Sequence, residues 1–188
     1  MVQKQPVNNQ KYNVKKSIRI TFRIKMSKMI NLIYNNILGG SSMIYIFIIL
    51  GIAITDIIIK HKIEDHDWYD GPIYSKHKII KISESHNRGG FLNFMQKKSK
   101  LFRIISAMLF FIVLIIFAKI LHVKDRTLLK TGITLILGGA LSNEYDRIMK
   151  GSVTDYISFK IPYIKEIVYN IGDFSIFAGI ICLLIDNY

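Results

Sequence analysis

The stretch from Leu101 to Leu121, LFRIISAMLFFIVLIIFAKIL, carries charge only at Arg103 near its start and Lys119 near its end. As a helix rising about 1.5 Å per residue, a run of this length crosses a hydrocarbon core of about 30 Å, and its two basic side chains reach opposite interfaces. In lipid every backbone N–H and C=O needs a partner within the protein, which a single segment supplies only as a helix. Three further apolar runs obey the same rule: Met43 to Ile59, about Leu128 to Ser142 or beyond, and about Ile167 to Ile185. The expected fold is therefore an all-α membrane protein of four transmembrane helices, with both termini on one side.

Of the 188 residues 51% are hydrophobic, and the formal net charge is +13. In a soluble protein such a charge points to nucleic acid. Here the basic residues flank apolar runs, where they meet anionic headgroups and orient the spans, so membrane lipids are the expected partner and nucleic acid is not. Residues 1–42 hold Lys4, Lys11, Lys15, Lys16, Arg19, Arg23, Lys25 and Lys28 and no acid. They read as a basic N-terminal extension to a membrane domain over 43–188, and by the positive-inside bias they place both termini in the cytoplasm. Within the extension Ile18, Ile20, Phe22, Ile24 and Met26 alternate with polar residues. That period of two suits a strand or an interfacial segment as well as a disordered leader. A single cysteine, Cys182, excludes an intramolecular disulfide.

Residues 61–100 are polar. The alternation in IYSKHKIIKISES and the Gly71-Pro72 turn signal predict a small extracytoplasmic β-rich element between the first and second helices. His61, Glu64, Asp65, His66 and Asp67 invite comparison with a metal site. HKIEDH, however, has one residue too many for H-x-x-E-H and no distal ligand cluster, so a solvated loop is expected there and no metal. Asp56 and Lys60 sit one helical turn apart, where an ion pair lowers the cost of burying the acid, and their expected role is structural support.

Chemistry concentrates in the last third, in GGALSNEYDR, GSVTDYISF and YNIGDFSIFAG. Asp146 closes one apolar run and Asp173 opens the next, and each has an asparagine three residues earlier, Asn143 and Asn170. If both runs span the membrane, the two carboxylates return to one depth. An acid at the edge of hydrocarbon is costly and is a functional candidate by default. Two carboxylates about 3 Å apart do not both ionise, so the pair holds an acid and a base together. Such a dyad activates water on one side of a carbonyl while polarising the carbonyl from the other. The residues alone also allow the acids to be interfacial caps or partners of Arg147 and Lys150. An ion-coupled transporter subunit is another possibility, although it calls for acids near mid-span.

These blocks, with ITDIIIK and NRGGFLNF upstream, resemble in order and spacing the motifs of the lipoprotein signal peptidase (signal peptidase II) family, over residues from about 50 to 185. The resemblance implies an inner-membrane aspartyl endopeptidase with its site near the extracytoplasmic face. It would cut a prolipoprotein before the diacylglyceryl-modified cysteine, need no cofactor and bind globomycin-like inhibitors. Carried onto this sequence, it makes Asp146 and Asp173 the catalytic pair and places Asn87, Asn143, Arg147 and Asn170 along the substrate site. Asp155, in the Val-x-Asp element, and Asp56 and Lys60 take structural roles. Gly90-Phe91, Ser142 and Gly172 depart from the family pattern, and Glu144 is an unusual acid beside the site, on a different helical face from Asp146. An inactive, lipoprotein-binding scaffold is the remaining alternative.

Overall fold

In the computed structural model the described residues are 21, 23–28, 40–76, 79–89, 96–159 and 167–186, and the chain divides into two compact units, Met1–Met43 and Ile44–Tyr188. In the first unit residues 23–28 are helical, with Ile24 and Met26 exposed. A lone extended segment leaves its backbone groups unpaired whereas a helical turn pairs them locally, so the strand reading fails over these residues. Ile18, Ile20 and Phe22 lie outside the described residues, as do Gly90 and Phe91.

Among the described residues four α-helices follow: α1 (Gly40–Glu64), α2 (Ser99–Ile120), α3 (Thr127–Met149) and α4 (Ile171–Asp186). Among the described residues two are long and apolar enough to cross a membrane, Ser42–Glu64 and Ser99–Ile120. Helix α1 continues past the end of its apolar run because Lys60, Lys62 and Glu64 are good helix formers and Lys60 turns inward, fully buried. Helix α2 presents Ile104, Met108, Phe111 and Ile115 outward and buries only Phe117, the pattern of a helix bathed in lipid. Helix α3 runs beyond Ser142 to Met149, and its last turns bury Ser142, Asn143, Glu144 and Asp146 on more than one face. Helix α4 begins at Ile171, later than the apolar run suggested. Its 16 residues rise about 24 Å, short of a full hydrocarbon core.

The sheet departs most from expectation. It has four antiparallel strands in the order β1 (Ile73–Tyr74), β2 (Ile80–Asn87), β3 (Val153–Phe159) and β4 (Val168–Tyr169). Only half of it comes from between α1 and α2. The other half comes from the segment joining α3 to α4, where Val153, Tyr156 and Ser158 are buried. Registers Ile82↔Ile157 and Ser85↔Asp155 leave one extra residue on β2, a bulge that bends the strand and brings Asn87 to the level of Val153.

Two glycine contacts lock α3 against α4. A methyl on Gly132 would lie 2.9 Å from the carbonyl oxygen of Gly179, and one on Gly172 would lie 2.9 Å from that of Gly139. Gly138 faces the other way, against Ile52 of α1. Close backbone approach of this kind is how small residues hold helices together in lipid, where no hydrophobic driving force acts between them. An apolar core of Phe117, Leu121, Ile133 and Leu137 fills the far end, with Tyr45 and Ile49 of α1 packed on it. Gly139→Ala is expected to lower stability by ~2 kcal/mol or more, because its methyl would run into the Gly172 backbone. Gly51→Ala, with nothing within 4 Å, should be neutral or stabilising. Thermal unfolding in detergent checks both.

Candidate active site

Lys60 has no exposed surface, and its ammonium reaches four partners. It ion-pairs with Asp56 at 2.9 Å, one turn back on α1, and with Asp146 of α3 at 3.2 Å. It also donates to Ser142 Oγ at 3.0 Å and Asn143 Oδ1 at 2.8 Å. Asp56 in turn accepts from Ser142 at 2.6 Å, from the Tyr156 hydroxyl at 2.8 Å and from the Ile171 backbone at 3.1 Å. Burial and the nearby Asp56 charge push the Tyr156 phenol well above its ordinary range, so it stays a donor. Asp146 accepts the Thr154 N–H at 3.1 Å and pairs with Lys150 at 2.8 Å, and Lys150 reaches Glu64 at 2.7 Å. One buried network thus ties α1, the end of α3, the start of β3 and the start of α4.

In front of that network lies a cavity of about 400 Å³. Its polar wall carries Asn87, Asn143, Glu144, Arg147, Asp155 and Asp173, and its apolar wall includes Phe102, Phe110 and Val113 of α2 and Ile176 and Phe177 of α4. Asp173 stands in the first turn of α4 in a reciprocal cap. Asn170 Oδ1 accepts the Asp173 N–H at 2.8 Å, while Asp173 Oδ2 accepts the Asn170 N–H at 3.2 Å. This is the chemistry of a capping box, and it explains the Asn-x-x-Asp spacing at 170–173. Asp155 accepts from Asn87 at 3.1 Å and from Asn170 at 2.7 Å, so Asn170 bridges the two acids. Burial foremost, and then the charge of Asp173, raise the Asp155 carboxyl to about 7, against the two amides that favour its ionised form.

Not every expected residue faces this space. Asn87, Asn143, Arg147 and Asp173 line it and Asn170 stands behind its acids, but Asp146 is fully buried in the ion network and does not line the cavity. The second Asn-x-x-Asp is therefore not a copy of the first: Asn143 donates to Asp173 Oδ1 at 3.0 Å rather than to Asp146. Asp155, expected to be structural, faces Asp173 instead. The alternation Val153-Thr154-Asp155-Tyr156 marks a strand and was the available sign that Asp155 and not Asp146 projects into the site. Tyr156, Ser142 and Phe102 gave no sign of their roles in the sequence. Asp56 and Lys60 do form the anticipated pair.

Comparison with known proteins gives the family. Residues 48–188 match the family model for Signal peptidase (SPase) II. The lipoprotein signal peptidase of Caldicellulosiruptor bescii is 34% identical over 143 residues, which cover 75% of this chain and 88% of that one. Two solved structures, described as a bacterial membrane enzyme determined by the in meso method at 2.3 and 1.9 Å resolution, share the fold. Their TM-scores are 0.64 and 0.61, each is 24% identical and covers 75% of this chain, and the matches span 85% and 90% of their own lengths. With the family model covering most of the chain and a relative above 30% identity, this chain belongs to the signal peptidase II family of lipoprotein-processing proteases.

Proposed function

We propose that this protein is a four-span aspartic endopeptidase of the bacterial inner membrane. In this reading it hydrolyses the bond preceding the diacylglyceryl-modified cysteine of prolipoproteins, and Asp155 and Asp173 are its acid pair. The observation that carries the reading is that two carboxyl side chains from different elements, β3 and α4, line one cavity and both accept from one residue, Asn170: Asp155 from its side-chain amide and Asp173 from its backbone N–H. Near neutral pH Asp155 holds the proton and donates it to the scissile carbonyl, while Asp173 takes a proton from the attacking water. The tetrahedral intermediate then collapses with the proton passed to the leaving amine. Asn87, Asn143 and Asn170 orient the two acids through their N–H groups, and Arg147 is left to donate to the substrate backbone.

The C-terminal ends of α1 and α3, the start of β3 and the N-terminus of α4 are joined by the ion network. With the basic leader in the cytoplasm, the site lies at the outer face, where a lipid-modified cysteine keeps its acyl chains in the bilayer and offers its peptide bond near the headgroups. The apolar cavity wall from α2 and α4 suits those chains and a globomycin-type inhibitor alike. Family membership favours this activity over a lipoprotein-binding scaffold or an ion-coupled transporter.

Asp155→Asn and Asp173→Asn are each expected to slow cleavage of a diacylglyceryl-modified prolipoprotein by about 10³-fold, read as a gel shift, with the protein still in the membrane. Asp146→Asn should instead lower unfolding stability by ~3 kcal/mol, because it leaves Lys60 and Lys150 short of a partner, while the folded fraction still cleaves. The opposite pattern would return the catalytic role to Asp146. Since Asp155 donates only while protonated, kcat/KM is expected to fall as pH rises through about 7. A pH–rate profile flat from 6 to 8.5 would refute that assignment.

A further inference from the structure

The cavity wall carries a third acid that the proposed chemistry does not use. Glu144 is 6% exposed and accepts a hydrogen bond from Arg147 Nη1 at 2.8 Å, one helical turn along α3. The guanidinium also sits over the Phe102 ring, 5.1 Å from its centroid. Arg147 is thus held on one side by a carboxylate and on its face by an aromatic ring, an arrangement that keeps its remaining N–H groups as donors but neutralises its charge.

The sum of charges around the cavity follows. Its lining holds Asp155, Asp173 and Glu144 against Arg147 alone. With one proton shared by the acid pair, the lining is net negative by one charge. The network behind the wall adds Asp56, Glu64 and Asp146 against Lys60 and Lys150, again one negative charge in excess. In a chain whose formal net charge is +13, the groups that line the cavity and those directly behind it are therefore net negative. Low-dielectric walls focus such a field on whatever enters.

We propose that Glu144 is a specificity-determining residue: by neutralising Arg147 it keeps the cavity negative and selects against prolipoproteins with an acidic side chain beside the scissile bond. The inference rests on the peptidase reading given above. Without Glu144, Arg147 is free to pair with a substrate carboxylate, and like-charge exclusion gives way to attraction.

The test uses full-length protein in detergent or vesicles and prolipoproteins in matched Asn/Asp pairs, changed at the residue just before or just after the lipid-modified cysteine. Wild type is expected to cleave the Asn form about tenfold faster in kcat/KM at one or both positions, a difference of ~1.4 kcal/mol. Glu144→Gln should bring the ratio to about unity or invert it, Glu144→Asp should restore it, and Arg147→Gln should widen it. Equal cleavage of both forms by wild type, or a ratio unmoved by Glu144→Gln, overturns the proposal. If Glu144→Gln does not fold, the Arg147→Gln ratio decides: widening supports the proposal and an unchanged ratio overturns it. Failure of wild type to cleave any prolipoprotein is a different result and refutes the peptidase reading itself.

Discussion

A lysine with no access to water has to be matched on every side, and Lys60 is matched by Asp56, Asp146, Ser142 and Asn143. Burying a charge costs several kcal/mol unless its partners are well placed, and losing one partner of a buried pair is strongly destabilising. The four partners come from two helices, and through Asp56 and Asp146 the same network reaches the backbone of Ile171 and Thr154. The geometry that brings β3 and α4 together is thus imposed from behind the cavity wall. Asp155 lies one residue beyond Thr154, and Asp173 two beyond Ile171, so the ion network fixes the backbone on which both acids of the proposed dyad stand.

Asn143 links the two layers. Its carbonyl oxygen accepts from Lys60 and from Asn170, which leaves its N–H to point at Asp173. An amide whose orientation is set by an ammonium group cannot flip without losing that bond. The orientation of Asp173 therefore depends on a charge buried behind the cavity wall. This gives Asp56 and Lys60 their structural weight although neither lines the cavity.

Much of the architecture was legible in the sequence, and where it was not the cause is physical. The run at 101–121 announced α2 because nothing but a lipid-facing helix accommodates it. The Asp56–Lys60 spacing likewise announced an ion pair. Helices α3 and α4 were harder, since α3 interrupts its apolar run with Glu144, Asp146 and Arg147 and the apolar run of α4 begins before its first turn. Depth and direction are what the sequence did not resolve. Asp146 and Asp173 share a local frame, yet one closes a helix and turns back toward Lys60, while the other opens a helix and caps it. Only the partners, on α1 and β3, separate a buried counterion from an acid facing the cavity, and Lys60 lies 86 residues from Asp146 in the chain. Asp155 was visible as part of a Val-x-Asp element, but its neighbourhood depends on β2 and its bulge, which no local pattern encodes.

The paired glycines of α3 and α4 carry a mechanical consequence. Each backbone carbonyl occupies the space a side chain would otherwise fill on the opposite helix, at two points two turns apart. Ile136 and Ile176 stand against Gly179 and Gly139 of the opposite helix, so axial slippage would move these side chains off the only residues small enough to face them there. In the proposed four-span reading, a mismatch between helix length and bilayer thickness is then taken up by inclination of the whole pair, which keeps the height of Asp173 relative to α3.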